Sequence, residues 1–107
     1  MTKSIKKKLA VLDSLSRCNR KDQECAIKAA NDELVQAVCD CITNVLYGRV
    51  KLSDYQRRKL KPKKHIWREL VKPKKSTKEK KKLLVQHGSG ILGLLLKPVI
   101  GALLGGA

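Results

Sequence analysis

A chain of 107 residues has room for one small domain. Its formal net charge is +16, from 25 Lys and Arg against 9 Asp and Glu, and its aromatic side chains are one Trp and two Tyr. That balance excludes a core built on aromatic rings, and a self-repelling charge of this size requires an anionic partner such as nucleic acid or an anionic membrane.

The charge is segregated along the chain. Residues 1–47 carry a net +2, residues 48–87 a net +13, and residues 88–107 contain only Lys97. The expected architecture is all-α and partly flexible: a small helical hairpin over 1–48, short basic helices over 49–87, and an apolar glycine-rich C-terminal tail over 88–107. The opening MTKSIKKKLAVLDSLSRC is interrupted by charge throughout, unlike a signal peptide, so reduced cysteines are expected.

In the first element, Ile5, Leu9, Leu12 and Leu15 recur at helical spacing, which predicts an amphipathic helix over 4–17. Asn19 to Asp22 reads as a turn. A second helix is predicted from Asp22 to Tyr47, with a joint near Asn31. Its apolar set is Ile27, Leu34, Val38, Cys41, Ile42 and Val45, and Gly48 stands where a C-terminal cap belongs. The two helices are expected to bury their stripes against each other.

Ser53-Asp-Tyr-Gln56 is a capping-box pattern that opens a short helix to about Lys61. Pro62 interrupts it. Residues 63–71 predict two helical turns with Ile66, Trp67, Leu70 and Val71 inward, ended by Pro73. Ser76-Thr-Lys-Glu79 is a second capping box, opening a helix to His87 with Gly88 as its stop. Leu60–Lys64 and Val71–Lys75 share a Lys-Pro-Lys-Lys pattern, which marks two basic hinges.

The residues predict no enzyme and no cofactor. His65 and His87, the only histidines, sit in no nucleophile–base or metal-ligand pattern. Cys18, Cys25, Cys39 and Cys41 leave zinc, disulfides and free thiols as readings. A Cys-x-Cys pair on a helix points its thiols about 200° apart, which is poor chelation geometry and favours free thiols.

Two signals remain. Arg57, Arg58, Lys59, Lys61, Lys63, Lys64, Lys72, Lys74, Lys75, Lys78, Lys80, Lys81 and Lys82 are candidate phosphate contacts. Lysine predominates, and a point charge lacks the planar fork that reads base edges, so the expected binding ignores sequence. The second signal is the tail, where Ile91, Leu92, Leu94, Leu95, Leu96, Val99, Ile100, Leu103 and Leu104 are candidate membrane-binding residues. A spanning helix needs about 20 apolar residues; this stretch is shorter and interrupted by Lys97-Pro98. An interfacial, membrane-active segment with Lys97 reaching toward headgroups is therefore expected, because a small hairpin would not cover it. Docking on a protein partner or self-association is the second reading, and a place in the chain's own core the third.

Cys39-Asp-Cys41, Asn44-Val-Leu46-x-Gly48, Val50-x-Leu52, Gln56-Arg-Arg-Lys-Leu60 and Lys78-Glu-Lys-Lys-Lys-Leu-Leu-Val-Gln86, followed by an apolar glycine-rich end, resemble the small basic proteins encoded beside capsid genes in Polinton- and adintovirus-like double-stranded DNA elements of animals. The plan of basic block then apolar tail is also architecturally similar to adenovirus core protein X (mu). The resemblance implies a non-enzymatic minor virion protein that condenses double-stranded DNA, located in the virion and in the host nucleus during assembly, with membrane and a capsid protein as further partners. In that context Gln86-His-Gly88-Ser89-Gly90 resembles a maturation-protease site. The alternative function is an adaptor held by its tail on anionic lipid, or a protein docked on a capsid subunit.

Overall fold

The N-terminal amphipathic stretch forms two helices rather than one. The computed structural model describes residues 2–88 and 92–104. Within these, α1 (Thr2–Lys7) and α2 (Leu9–Arg17) are separated at Lys8, whose backbone leaves helical geometry. The two halves have different neighbours, which is why one straight helix does not serve. The Ser4 hydroxyl donates to the Asp40 carboxylate, Ile5 is buried, and Lys8 reaches Glu33 at 3.3 Å, whereas Leu12 and Leu15 face the C-terminal helix.

Side-chain caps set the next starts. Asn19 Oδ1 accepts from the Asp22 N–H at 2.8 Å and opens α3 (Arg20–Ala29). Asn31 Oδ1 accepts from the Leu34 N–H at 2.9 Å and opens α4 (Asp32–Leu46), so the predicted joint is a full break. Gly48 closes α4 at φ +67, a backbone conformation that favours glycine. The Gly48 N–H donates to Val45 and the Arg49 N–H to Asn44, the paired bonds of a Schellman motif.

Ser53 and Gln56 form the predicted reciprocal capping box of α5 (Asp54–Leu60). Pro62 lies in a 3-10 turn over Lys61–Lys63, and α6 (Lys64–Leu70) follows at once. Ser76 caps α7 (Thr77–Leu83) through the Glu79 N–H at 3.2 Å. The Glu79 carboxylate stands 3.4 Å from the Ser76 hydroxyl and 3.5 Å from Lys75 Nζ. A π-helical turn over Leu84–Gly88 leads to α8 (Leu92–Leu103), which holds Pro98 in its interior. The described residues contain no strand, and the fold is all-α.

The expected exposed tail is instead the centre of the molecule. Helix α8 lies against both α2 and α4, and its Leu92, Leu95, Leu96, Val99 and Ile100 are buried. Those positions follow an i, i+3, i+4, i+7, i+8 stripe, so the tail is an amphipathic core helix. Helix α2 lies chiefly against α8 rather than against the second helical stretch, whereas α1 packs on α4 as expected. Helix α4 is enclosed by α1, α6, α7 and α8, and its run from Ala37 to Ile42 is buried on every side. Trp67 and Leu70 of α6 complete the same core.

The α2–α8 contact depends on Gly93. A Cβ there would stand 2.9 Å from the Ser16 carbonyl oxygen, a backbone atom that cannot swing aside, whereas a Cβ at Gly101 meets nothing. Gly93→Ala should therefore lower stability by about 1–3 kcal/mol, and Gly101→Ala should raise it by up to ~1 kcal/mol through helix propensity. Thermal unfolding followed by circular dichroism checks the opposite signs.

Candidate nucleic-acid interface

The basic block divides into two parts that differ in what they face. In the first, Arg57, Arg58, Lys59, Lys61 and Lys64 are exposed on α5, the 3-10 turn and the start of α6, with Lys63 half-buried. The α5 capping box fixes the start of this run, and Leu60 anchors its end in the core. Lys59 lies over the Tyr55 ring at 5.6 Å. Among the described residues, no carboxylate pairs with Arg57, Arg58, Lys61 or Lys64.

The second part is largely engaged within the molecule. Lys72 and Lys75 hold Glu69 at 2.7 and 3.2 Å, and Lys75 also reaches Glu79. Hydrogen bonds from Lys72 and then Lys75 hold the Glu69 carboxyl below its ordinary range, and the Glu69 bond holds the Lys75 ammonium above its own. Lys80 is buried against α4 and Lys81 Nζ donates to the Lys28 carbonyl at 3.2 Å. Lys74, Lys78 and Lys82 remain exposed.

The first part gains two cations that the sequence pattern did not single out. Arg49 and Lys51 line a hollow together with Arg57 and Lys64, and Arg57 and Lys61 continue into a second with Arg58 and Asp54. Arg49, placed by the Schellman turn, also lies 5.4 Å over the Tyr47 ring. Six cations thus share one continuous surface on which Asp54 is the single lining carboxylate. Neither Arg49 nor Lys51 belongs to a basic run, and the signal that would have found them is the helix-ending Gly48, which turns the chain back beside α5.

The residues expected to meet membrane are placed differently. Leu92, Leu95, Leu96, Val99 and Ile100 are core residues, Leu94 and Leu103 are half-buried, and Leu104 is exposed. Ile91 lies outside the described residues, as do Ser89 and Gly90 of the candidate cleavage motif. No single described helix is long and apolar enough to cross a membrane; Thr77–Gly88 and Leu92–Leu103 pass that test only together.

All four cysteines are free. Among the described residues, no group of three or more His, Cys, Asp or Glu is placed to hold a metal ion. Cys39 and Cys41 are both buried although their spacing turns them apart, because α4 has neighbours on every side. Burial pushes the Cys39 thiol up to about 11, with nearby Lys80 opposing and Asp40 adding. Burial, then Asp40, then Cys39 push Cys41 up to about 12. Such thiols are poor nucleophiles and poor metal ligands at neutral pH. Asp40, itself buried, accepts from Ser4 and from Gln36 Nε2 at 2.9 Å, which satisfies its carboxylate.

No protein-family model, curated protein or solved structure matches the chain.

The thiol environment sets two expected outcomes. Cys25, exposed on α3, should alkylate with iodoacetamide first, and Cys39 and Cys41 only on unfolding, as peptide mass spectrometry would show. The two buried thiols ionise later in the folded than in the unfolded chain, so their contribution is full below about pH 9 and declines as pH rises toward 11–12. The loss is about 2–3 kcal/mol per thiol by pH ~11. In urea titrations across this window, Cys39→Ala/Cys41→Ala should fall less steeply than the parent.

Proposed function

We propose that this chain is a non-enzymatic polyanion-binding protein that neutralises nucleic-acid phosphate without reading sequence, as a minor component of a particle that packages double-stranded DNA. One observation carries the reading: Lys51, Arg57, Arg58, Lys61 and Lys64, with Arg49 beside them, share one exposed surface on which Asp54 is the single lining carboxylate. Concentrated like charge repels itself, and each phosphate placed against it relieves repulsion while releasing condensed counterions. The rest of the molecule is a rigid mount that keeps these flexible side chains within reach of one strand. The resemblance to proteins of Polinton- and adintovirus-like elements supplies the packaging context, with the virion and the nucleus of the host as its sites and a capsid subunit as a neighbour.

Membrane contact through α8 is a separate matter, because it belongs to an opened form of the chain. Each of its five buried aliphatic side chains contributes about 1.5–3 kcal/mol of burial. Withdrawing all five forfeits on the order of 10 kcal/mol, comparable to the whole stability of a small domain. A bilayer would restore that burial for α8 but not for the faces of α2 and α4 left behind.

A gel-shift series across salt concentrations tests the nucleic-acid reading. Six phosphate contacts give a slope of log affinity against log salt of about −5 on duplex DNA. Arg57→Ala/Lys61→Ala/Lys64→Ala should flatten it by about 2.5, equally for unrelated sequences. Lys72→Ala/Lys75→Ala should change it much less, because both ammonium groups already face Glu69. No binding at low salt, or a triple variant with an unaltered slope, would overturn the reading.

A further inference from the structure

Under the basic surface lies a cavity of about 260 Å³ that nothing in a phosphate-binding role requires. Its walls are apolar, formed by Val45, Leu46, Leu52, Leu60, Leu95 and the ring of Trp67. Three exposed cations, Arg57, Lys61 and Lys64, line the same cavity. It lies where helices α4, α5, α6 and α8 meet, with Leu52 of the α4–α5 connection forming one wall. An apolar cavity of about 150 Å³ is enough to admit benzene, and this one approaches the lower end of ordinary ligand sites.

Trp67 Nε1 is the buried side-chain nitrogen or oxygen without a hydrogen-bond partner among the described residues. A buried donor left unpaired is costly and rare in folded proteins. Trp67 lines the cavity, and the Cη2 corner of its six-membered ring is turned toward Gly88. That nitrogen is sealed from the cavity, so the ring and not the Nε1–H is what a bound molecule would meet.

We propose that this cavity binds a single-chain anionic amphiphile, with the chain against Leu52, Leu60, Leu95 and Trp67 and the carboxylate or phosphate head against Arg57, Lys61 and Lys64. A nucleobase fits less well. It carries several donors and acceptors on its edge, and side-chain walls that are apolar apart from the Arg57, Lys61 and Lys64 cations would leave its donors unpaired. A hydrocarbon chain loses no hydrogen bond on entry and gains burial. Free phosphate satisfies the cations but leaves the apolar volume unused. Charge selects the head and the cavity selects the tail, so both are required. The site does not rest on the nucleic-acid reading, although the two ligands share three cations and duplex DNA should compete with the amphiphile.

Trp67 is the only tryptophan of the chain, so its fluorescence reports the cavity directly. The full-length protein is titrated below the micelle concentration with dodecyl phosphate, dodecyl maltoside and inorganic phosphate. The expected result is a saturable Trp67 shift at one dodecyl phosphate per chain, about tenfold or more weaker binding of the maltoside, and no shift with inorganic phosphate. Lys61→Glu/Lys64→Glu should weaken dodecyl phosphate by a similar factor and leave the maltoside unchanged. Leu52→Phe, which fills part of the cavity from a half-buried position, should abolish the shift while duplex-DNA binding persists. Phosphatidylglycerol vesicles identify the source: a matching shift places the chain in a bilayer, and its absence beside a saturable response to dodecyl phosphate places it in free monomer. No saturable shift, equal affinity for the maltoside, or a Leu52→Phe protein that melts like the parent and still binds would each overturn the proposal.

Discussion

The contact on which the fold depends is the seat of α8 between α2 and α4. Gly93 lets the α8 backbone approach the Ser16 carbonyl, and that approach brings Leu92, Leu95, Leu96, Val99 and Ile100 into one apolar layer with Leu12, Leu15, Val38 and Ile42. Without it, α2 and α4 would each present an uncovered stripe, and the short α6 would have nothing behind Trp67. Aromatic scarcity makes the constraint tighter. A core of aliphatic side chains gains its stability from many close contacts, so a single helix withdrawn removes a large share of them.

That central helix also decides where the charge can go. With the apolar residues gathered inside, the cations are driven to the surface, but not evenly. The segment from Glu69 to Lys81 folds several of its ammonium groups back onto Glu69, Glu79 and the Lys28 carbonyl. Among the described residues Arg57, Lys61 and Lys64 pair with no carboxylate, and they line a hollow floored by Trp67 and Leu95. Positive charge and accessible apolar volume therefore meet at one place on the molecule.

Local structure was legible in the sequence to the extent that local bonds determine it. Asn31, Gly48, Ser53 and Ser76 announce helix ends because each satisfies backbone groups a few residues away, and the structure uses all four. Packing partners were not legible in the same way. The 92, 95, 96, 99, 100 stripe was present in the tail, but its apolar richness and Pro98 masked the period, and a hairpin assumed to be closed left no room for it. Helix α4 misled for the opposite reason. A stripe argument assigns one buried face, whereas a helix enclosed by four neighbours buries Ala37, Cys39 and Asp40 as well as the expected Val38 and Ile42. The break at Lys8 is likewise invisible to periodicity, since the register of Ile5, Leu9 and Leu12 runs straight through it. On the surface, the lysine runs drew attention to Lys72, Lys75, Lys80 and Lys81, which are engaged internally, and away from Arg49 and Lys51, which a tight turn delivers to the patch.

Because α8 follows every helix it stabilises, the order of synthesis works against early folding. On the ribosome, α2 and α4 emerge with their apolar sides bare and remain so until α8 has cleared the exit tunnel. The stripe of α2 waits for a partner about eighty positions downstream and that of α4 for one about sixty downstream, long-range closures of the kind that slow folding. The nascent segment is thus an exposed, sticky and strongly cationic polymer until α8 emerges to close its core.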